Sequence, residues 1–249
     1  QHLLSFIVRA LNSSAIKSEI PDEFKDVLDE GKYIESQEYT KVNSRFSYFT
    51  STFSLIISFI FIFGFPQLSI PPIYNEIDLF VRSFEFNNIV CGIIFFGILI
   101  LITDILNTPF GLYKTFIIEQ KFGFNKMNLS TYISDKIKGY LLMLLIGCPL
   151  AYALLYFFES FDAYAWFYAW LLLVLFSLII QPIYNVFIAP MYNKFTPLAD
   201  GDLLIKIKEY LLKVEFPVKK LEVMDGSKRS GHSNAYFSGM GSNKRIALF

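Results

Sequence analysis

Four stretches of this chain are long and nearly free of charge, and they limit its fold more than any other feature. Residues 46–65 carry no charge after Arg45, and residues 88–103 carry none, with apolar character reaching Leu106 past a single Asp104. Residues 139–158 and 163–190 are also uncharged. A helix rises about 1.5 Å per residue, so about 20 apolar residues cross a hydrocarbon core of about 30 Å. Helices of soluble proteins show a polar face, and segments such as SLIISFIFIFGF and LLLVLFSLII have none. The expectation is a mainly α, multi-pass transmembrane helical bundle with spans near 46–65, 88–106, 139–158 and 164–187. Residues 1–11 (with HLLSFIVRAL at 2–11) are too short to cross and read as an amphipathic helix or the end of a helix begun earlier; they lack the basic start and small-residue cleavage site of a signal peptide.

Basic residues set the expected orientation. Lys and Arg number six in 9–45, one in 66–88, five in 104–138, none in 159–163 and ten in 182–249. The alternation follows the positive-inside rule at every crossing. It places 9–45, 104–138 and the C-terminal segment in the cytoplasm, in an integral protein of either a bacterial inner membrane or the endoplasmic reticulum. With 22 basic and 22 acidic residues, no basic excess exists to neutralise phosphates, so a nucleic-acid partner is not expected. Mean hydropathy of +0.45 and 28 Phe exclude a disordered polymer. Cys91 and Cys148 fall inside spans and read as packing residues rather than a disulfide.

The connections carry weaker signals. Pro21 with Asp22 and Glu23 suits a first helical turn, and Gly31 is expected to break that helix. Residues 66–82 hold three prolines and read as a short non-cytoplasmic link with one interfacial helix. The chain therefore divides into a membrane module, 1–190, and the start of a cytoplasmic domain, 191–249. In the latter, 200–214 is an amphipathic helix with Leu203, Leu204, Ile207, Leu211 and Val214 at helical spacing. LEVM (221–224), SNAYFS (233–238) and RIALF (245–249) read as strands, the last two joined by GMGSNK. The final strand is expected to be cut short at Phe249.

No complete catalytic constellation is visible by spacing. The two histidines, His2 and His232, begin no H-E-x-x-H helix, and there is no C-x-x-C pair, G-x-S-x-G elbow or phosphate-binding loop. Asp104 and Asn107 admit a functional reading, as intramembrane polar groups, and an interfacial one. Glu119 reads as a surface charge. Lys228 and Arg229 form either a solvated loop or an anion contact, and His232 is either a pH-sensitive ligand or a polar loop residue. Composition alone also allows a non-catalytic membrane scaffold or a transporter.

Three segments carry a resemblance: NTPFGLYKTFIIEQKFGFN (107–125), IAPMYNKFTPLADGDL (188–203) and VMDGSKRSGHSNAYFSGMGSNKRIALF (223–249). In order and spacing they resemble the type I CAAX prenyl protease family of integral-membrane zinc metalloendopeptidases, from about Pro21 onward. That resemblance implies part of a seven-helix barrel followed by the truncated start of an α+β zincin-like cytoplasmic domain. It implies a zinc cofactor held by H-E-x-x-H and a later Glu, all beyond Phe249, so this chain holds no catalytic residue and no metal ligand and is expected to be inactive alone. It implies a lipid bilayer as solvent and a peptide or protein substrate, either prenylated or membrane-associated without a prenyl group. His232, Asn234, Ala235 and Tyr236 are the substrate-binding candidates, because SNAYF resembles the family's substrate-facing strand.

Overall fold

The structure is a computed structural model that describes residues 2–16, 19–239 and 244–249. It is mainly helical, with four helices long and apolar enough to cross a membrane and one four-stranded sheet among the described residues. The chain falls into two compact units, Gln1–Phe122 and Gly123–Phe249.

The first unit holds α1 (His2–Ser14), α2 (Glu30–Phe63), α3 (Ile73–Arg82) and α4 (Asn88–Glu119). Side-chain caps fix where the long helices start. Asp29 accepts from the Lys32 amide at 2.8 Å to open α2, and Asn87 accepts from the Val90 amide at 2.9 Å to open α4. Gly31 therefore lies in the first turn of α2 and breaks nothing, because the cap just before it takes up one of the orphan amides of the helix start. The helix expected after Pro21 shrinks to a single 3-10 turn, Asp22–Phe24. α2 ends at Gly64, whose φ of +71° suits glycine. A methyl group there would run into the Ile70 carbonyl and the Pro71–Pro72 backbone. The link holds one α-helix, α3, where one helix was expected. Its Ile77 and Val81 pack with Cys91 of α4 against Phe61, Ile94 and Phe95. Cys91 and Cys148 are both free thiols.

The second unit begins with α5 (Leu129–Ser160) and α6 (Asp162–Tyr192). Asn128 caps α5 by accepting from the Thr131 amide at 2.8 Å. Both helices contain a π-helical turn, Met143–Gly147 in α5 and Tyr184–Ile188 in α6. Each precedes a proline, Pro149 and Pro190, whose missing N–H frees an upstream carbonyl; widening the turn lets that carbonyl find another donor. Along the membrane helices large apolar side chains face outward: Leu145 is 73% exposed, Trp166 65% and Phe59 54%. Such surface is costly in water and at no cost in lipid. Tyr164, Trp166, Phe167, Tyr168 and Trp170 cluster at the start of α6, as interfacial aromatic belts do.

The sheet contains β1 (Phe195–Pro197), β2 (Lys220–Met224), β3 (Ala235–Ser238) and β4 (Arg245–Leu248), in the order β1-β2-β4-β3. β2 and β4 run parallel; β1 with β2, and β3 with β4, run antiparallel. α7 (Asp202–Lys213) lies between β1 and β2 in sequence and buries Leu204, with Ile207 and Leu211 half-buried. Leu203 and Val214, expected on that face, are exposed, because the apolar stripe is narrower than the spacing suggested. β1 was not expected: three residues ending in proline carry no alternation to read. Residues 240–243 of the expected turn lie outside the described residues.

Candidate functional site

β3 lies at the edge of the sheet. Its register with β4 decides which backbone groups face out. Asn234 and Phe249 exchange both amide hydrogen bonds, at 2.7 and 2.9 Å. Along an antiparallel pair such residues alternate with non-bonded ones, so Tyr236 and Ser238 point their backbone groups at Ala247 and Arg245. The backbone N–H and C=O of Ala235 and Phe237 then point away from the sheet. No strand among the described residues pairs with that outer edge. Within the chain, the Asn234 side chain uses it: its Oδ1 accepts from the Ala235 amide at 2.8 Å. That oxygen sits where the carbonyl of an added strand would bond.

The side chains of the candidate residues divide between surfaces. Ala235 and Phe237 lie on one face, both exposed, with Phe237 edge-on to Phe216 at 5.8 Å. Asn234 and Tyr236 lie on the other. Burial pushes the Tyr236 hydroxyl above its ordinary pKa, partly offset by the nearby Arg245. Arg245 itself is buried, stacks over Phe195 at 4.1 Å and approaches Glu222 at 3.6 Å. Tyr236 thus joins the packing of the sheet's polar face, while Asn234 and Ala235 stay exposed. His232 stands before the strand; its ring stacks on Phe124 at 3.9 Å, 19° from parallel.

The loop ahead of β3 is tied down repeatedly. Asp225 accepts from the Lys194 amide and pairs with Lys228, both at 2.7 Å. Burial alone would raise its carboxyl pKa, but these hydrogen bonds and the Lys228 and Arg229 charges hold it below the usual range. Arg229 grips Asp135 of α5 with two parallel bonds, Nε to Oδ2 at 2.7 Å and Nη2 to Oδ1 at 2.9 Å. Its Nη1 donates to Asn193 Oδ1 at 2.9 Å. The Asp135 hydrogen bond raises the guanidinium further above its ordinary pKa. Next, Lys126 N donates to Arg229 O at 3.2 Å, and Gly231 N donates to Phe124 O at 2.7 Å. Arg229 is therefore neither a solvated charge nor open for an anion. Sequence reasoning missed Asp135 and Asn193, since nothing in ISDKIKGY marks a partner 94 residues away.

The other polar candidates have different settings. Glu119 is half-buried and accepts from Tyr39 at 2.8 Å, so it is more than a surface charge. Asn107 lines a cavity of about 100 Å³ with Ser54, Ser58 and Thr103. No group of three or more His, Cys, Asp or Glu among the described residues could hold a metal ion. The described residues therefore do not fit a zinc centre, and no chemical step is assigned through one.

Residues 11–194 match the family described as CAAX prenyl protease N-terminal, five membrane helices. The CAAX prenyl protease 1 homolog of Mus musculus is 35% identical over 234 residues, which is 92% of this chain and 48% of that protein. CAAX prenyl protease 1 of Saccharomyces cerevisiae is 35% identical over 238 residues, 94% of this chain and 52% of that protein. The crystal structure of S. mikatae Ste24p superimposes with a TM-score of 0.87 at 30% identity, covering 100% of this chain and 59% of that one. The chain thus spans about half the length of the curated relatives it matches.

Proposed function

The chain belongs to the CAAX prenyl protease N-terminal family, and from that premise we propose that it supplies the membrane module and peptide-binding strand of a zinc metalloendopeptidase. The substrate is a prenylated CAAX-type peptide or another membrane-associated peptide. The observation that carries this reading is the outward backbone edge of β3. An extended peptide adds there as a further strand, bonding to the N–H and C=O of Ala235 and Phe237; main-chain bonds give affinity and side-chain pockets give selectivity. Asn234 holds the Ala235 amide until the peptide carbonyl takes it, then has its own amide group to offer the substrate. His232, stacked on Phe124, borders the entry to the strand.

In this reading the zinc and its H-E-x-x-H helix come from sequence beyond residue 249, and this chain's part is to bind and orient the peptide. Residues 1–190 act as the membrane module and 191–249 as the start of the cytoplasmic catalytic domain. The test has two steps. The coding sequence downstream is read for H-E-x-x-H on a helix; a stop codon or degenerate motif there favours a scaffold. The complete gene product is then assayed on a prenylated CAAX peptide, and no cleavage by zinc-loaded, folded protein would sink the proposal. The 249-residue chain alone is expected to cleave nothing and to bind no zinc stoichiometrically at sub-micromolar affinity.

A further inference from the structure

We infer that Asp135 and Arg229 are positioning residues: a charged strut from membrane helix α5 that fixes where the peptide-binding edge of β3 stands. Three observations carry this. First, the contact is forked and well formed, with bonds of 2.7 and 2.9 Å and a third from the same guanidinium to Asn193. A planar guanidinium held at three points cannot rotate without breaking a bond. Both partners are only 20% exposed, which makes the pair worth more than a surface ion pair.

Second, the strut joins three elements at one point, and neighbouring contacts hold two of them in the same register. Asp135 lies near the start of α5, Asn193 follows the end of α6, and Arg229 lies in the loop that feeds β3. One turn along α5, Lys138 donates to the Met191 carbonyl at 2.8 Å and sits over the Tyr192 ring. The ends of the two membrane helices are thereby locked to each other where Arg229 engages both.

Third, the bonds run on to the edge strand without a gap. Arg229 O accepts from Lys126, Gly231 N reaches Phe124 O, and Asn234 pairs with Phe249. A side chain at Gly231 would lie 3.4 Å from the Gly123 carbonyl, so the two segments run in direct backbone contact. Between Arg229 and Asn234 the chain is tied every two or three residues. A shift of Arg229 is carried to β3 rather than absorbed in a slack loop.

The functional half of this inference rests on the peptide-binding role of β3 proposed above; the structural half does not, and the experiment separates them. Nitroxide labels at exposed positions 137 on α5 and 237 on β3 are introduced with Cys91→Ala and Cys148→Ala, and the interlabel distance is measured in detergent. Parent protein should give one narrow distribution. Asp135→Asn, which keeps size but loses charge, should broaden it beyond the parent width. Arg229→Lys, which keeps charge but loses the fork, should fall between. Unchanged distributions in both variants overturn the inference, whatever the protein's activity. In the complete gene product the same variants should raise KM for a peptide by roughly fivefold for each main-chain bond that a misplaced strand loses, at about 1 kcal/mol per bond. A merely structural pair would lower active enzyme with the folded fraction and leave KM at the parent value, and that result also overturns it. Absence of cleavage in the parent counts against the protease reading and leaves the distance result to decide the strut.

Discussion

Ala235 and Asn234 sit side by side on β3 yet fail differently when changed. Ala235 faces Leu248 in a non-bonded pair, so its N–H contributes nothing to the ladder. Proline is tolerated on edge strands when the lost N–H faces outward. Ala235→Pro should therefore leave the melting temperature close to parent while removing the peptide's first main-chain bond. One such bond is worth about 1 kcal/mol, or roughly fivefold in kcat/KM of the complete gene product. A large thermal loss with cleavage falling in step would show the strand to be only structural. Asn234→Ala should lower the cleavage rate with thermal stability and zinc content at parent levels; unchanged cleavage would make this Asn structural. Asp225 gives a pH-dependent prediction at the same scale. Its folded pKa is depressed, so its stabilisation is complete above the unfolded value of about 4 and is lost as pH falls through the folded value. Asp225→Asn should lower the melting temperature near neutral pH, and the gap to parent should close on acidification below about pH 4. A gap that stays constant with pH would remove the charge from the explanation.

At the scale of the element, what the sequence made legible follows from what each element needs. A membrane span needs an unbroken apolar run, so the cores of α2, α4, α5 and α6 are readable from residues 46–65, 88–106, 139–158 and 164–187. Their ends are not, because helices outrun the bilayer on polar residues: α2 starts at Glu30 and α4 continues through Lys114 to Glu119. SNAYF was readable as a strand by alternation, whereas its edge position depends on β4 inserting between β2 and β3, which no local pattern encodes. The Asp135–Arg229 contact was unreadable for the same reason. Gly64 is where an element's end rests on one residue. Its φ of +71° and the Ile70 carbonyl beside it make Gly64→Ala doubly unfavourable. With ψ at −161° the backbone lies in a region open essentially to glycine, and the backbone cost alone is about 1–3 kcal/mol. Thermal denaturation in detergent should show that loss, while Gly97→Ala, with open space at its Cβ, should show little and serves as the control.

Across the whole molecule, the membrane helices and the sheet make different demands on solvent, and the distribution of charge is what reconciles them. Outward-facing Leu145, Trp166 and Phe59 require lipid, while the loop bearing Lys228 and the helix start at Glu30 require water. Basic residues concentrate in 9–45, 104–138 and 182–249 and nearly vanish from 66–88 and 159–163. The aromatic cluster at Tyr164–Trp170 lies beside the second basic-poor turn, where a membrane–water interface would draw aromatic rings. If β3 binds peptides whose prenylated ends lie in the cytoplasmic leaflet, the sheet must face the cytoplasm, which is also what the positive-inside rule predicts from the basic residues. Single cysteines at exposed positions 75, 30 and 228, in a Cys91→Ala, Cys148→Ala background, test that assignment. A membrane-impermeant thiol reagent applied to intact cells of a bacterial host should label position 75 in α3 and spare 30 and 228 until the cells are opened. Labelling of 30 and 228 with protection of 75 would invert the topology and put β3 on the side away from any cytoplasmic substrate. Labelling of all three would mean that the apolar runs do not keep the two faces apart, and the count of four crossings would fall with it.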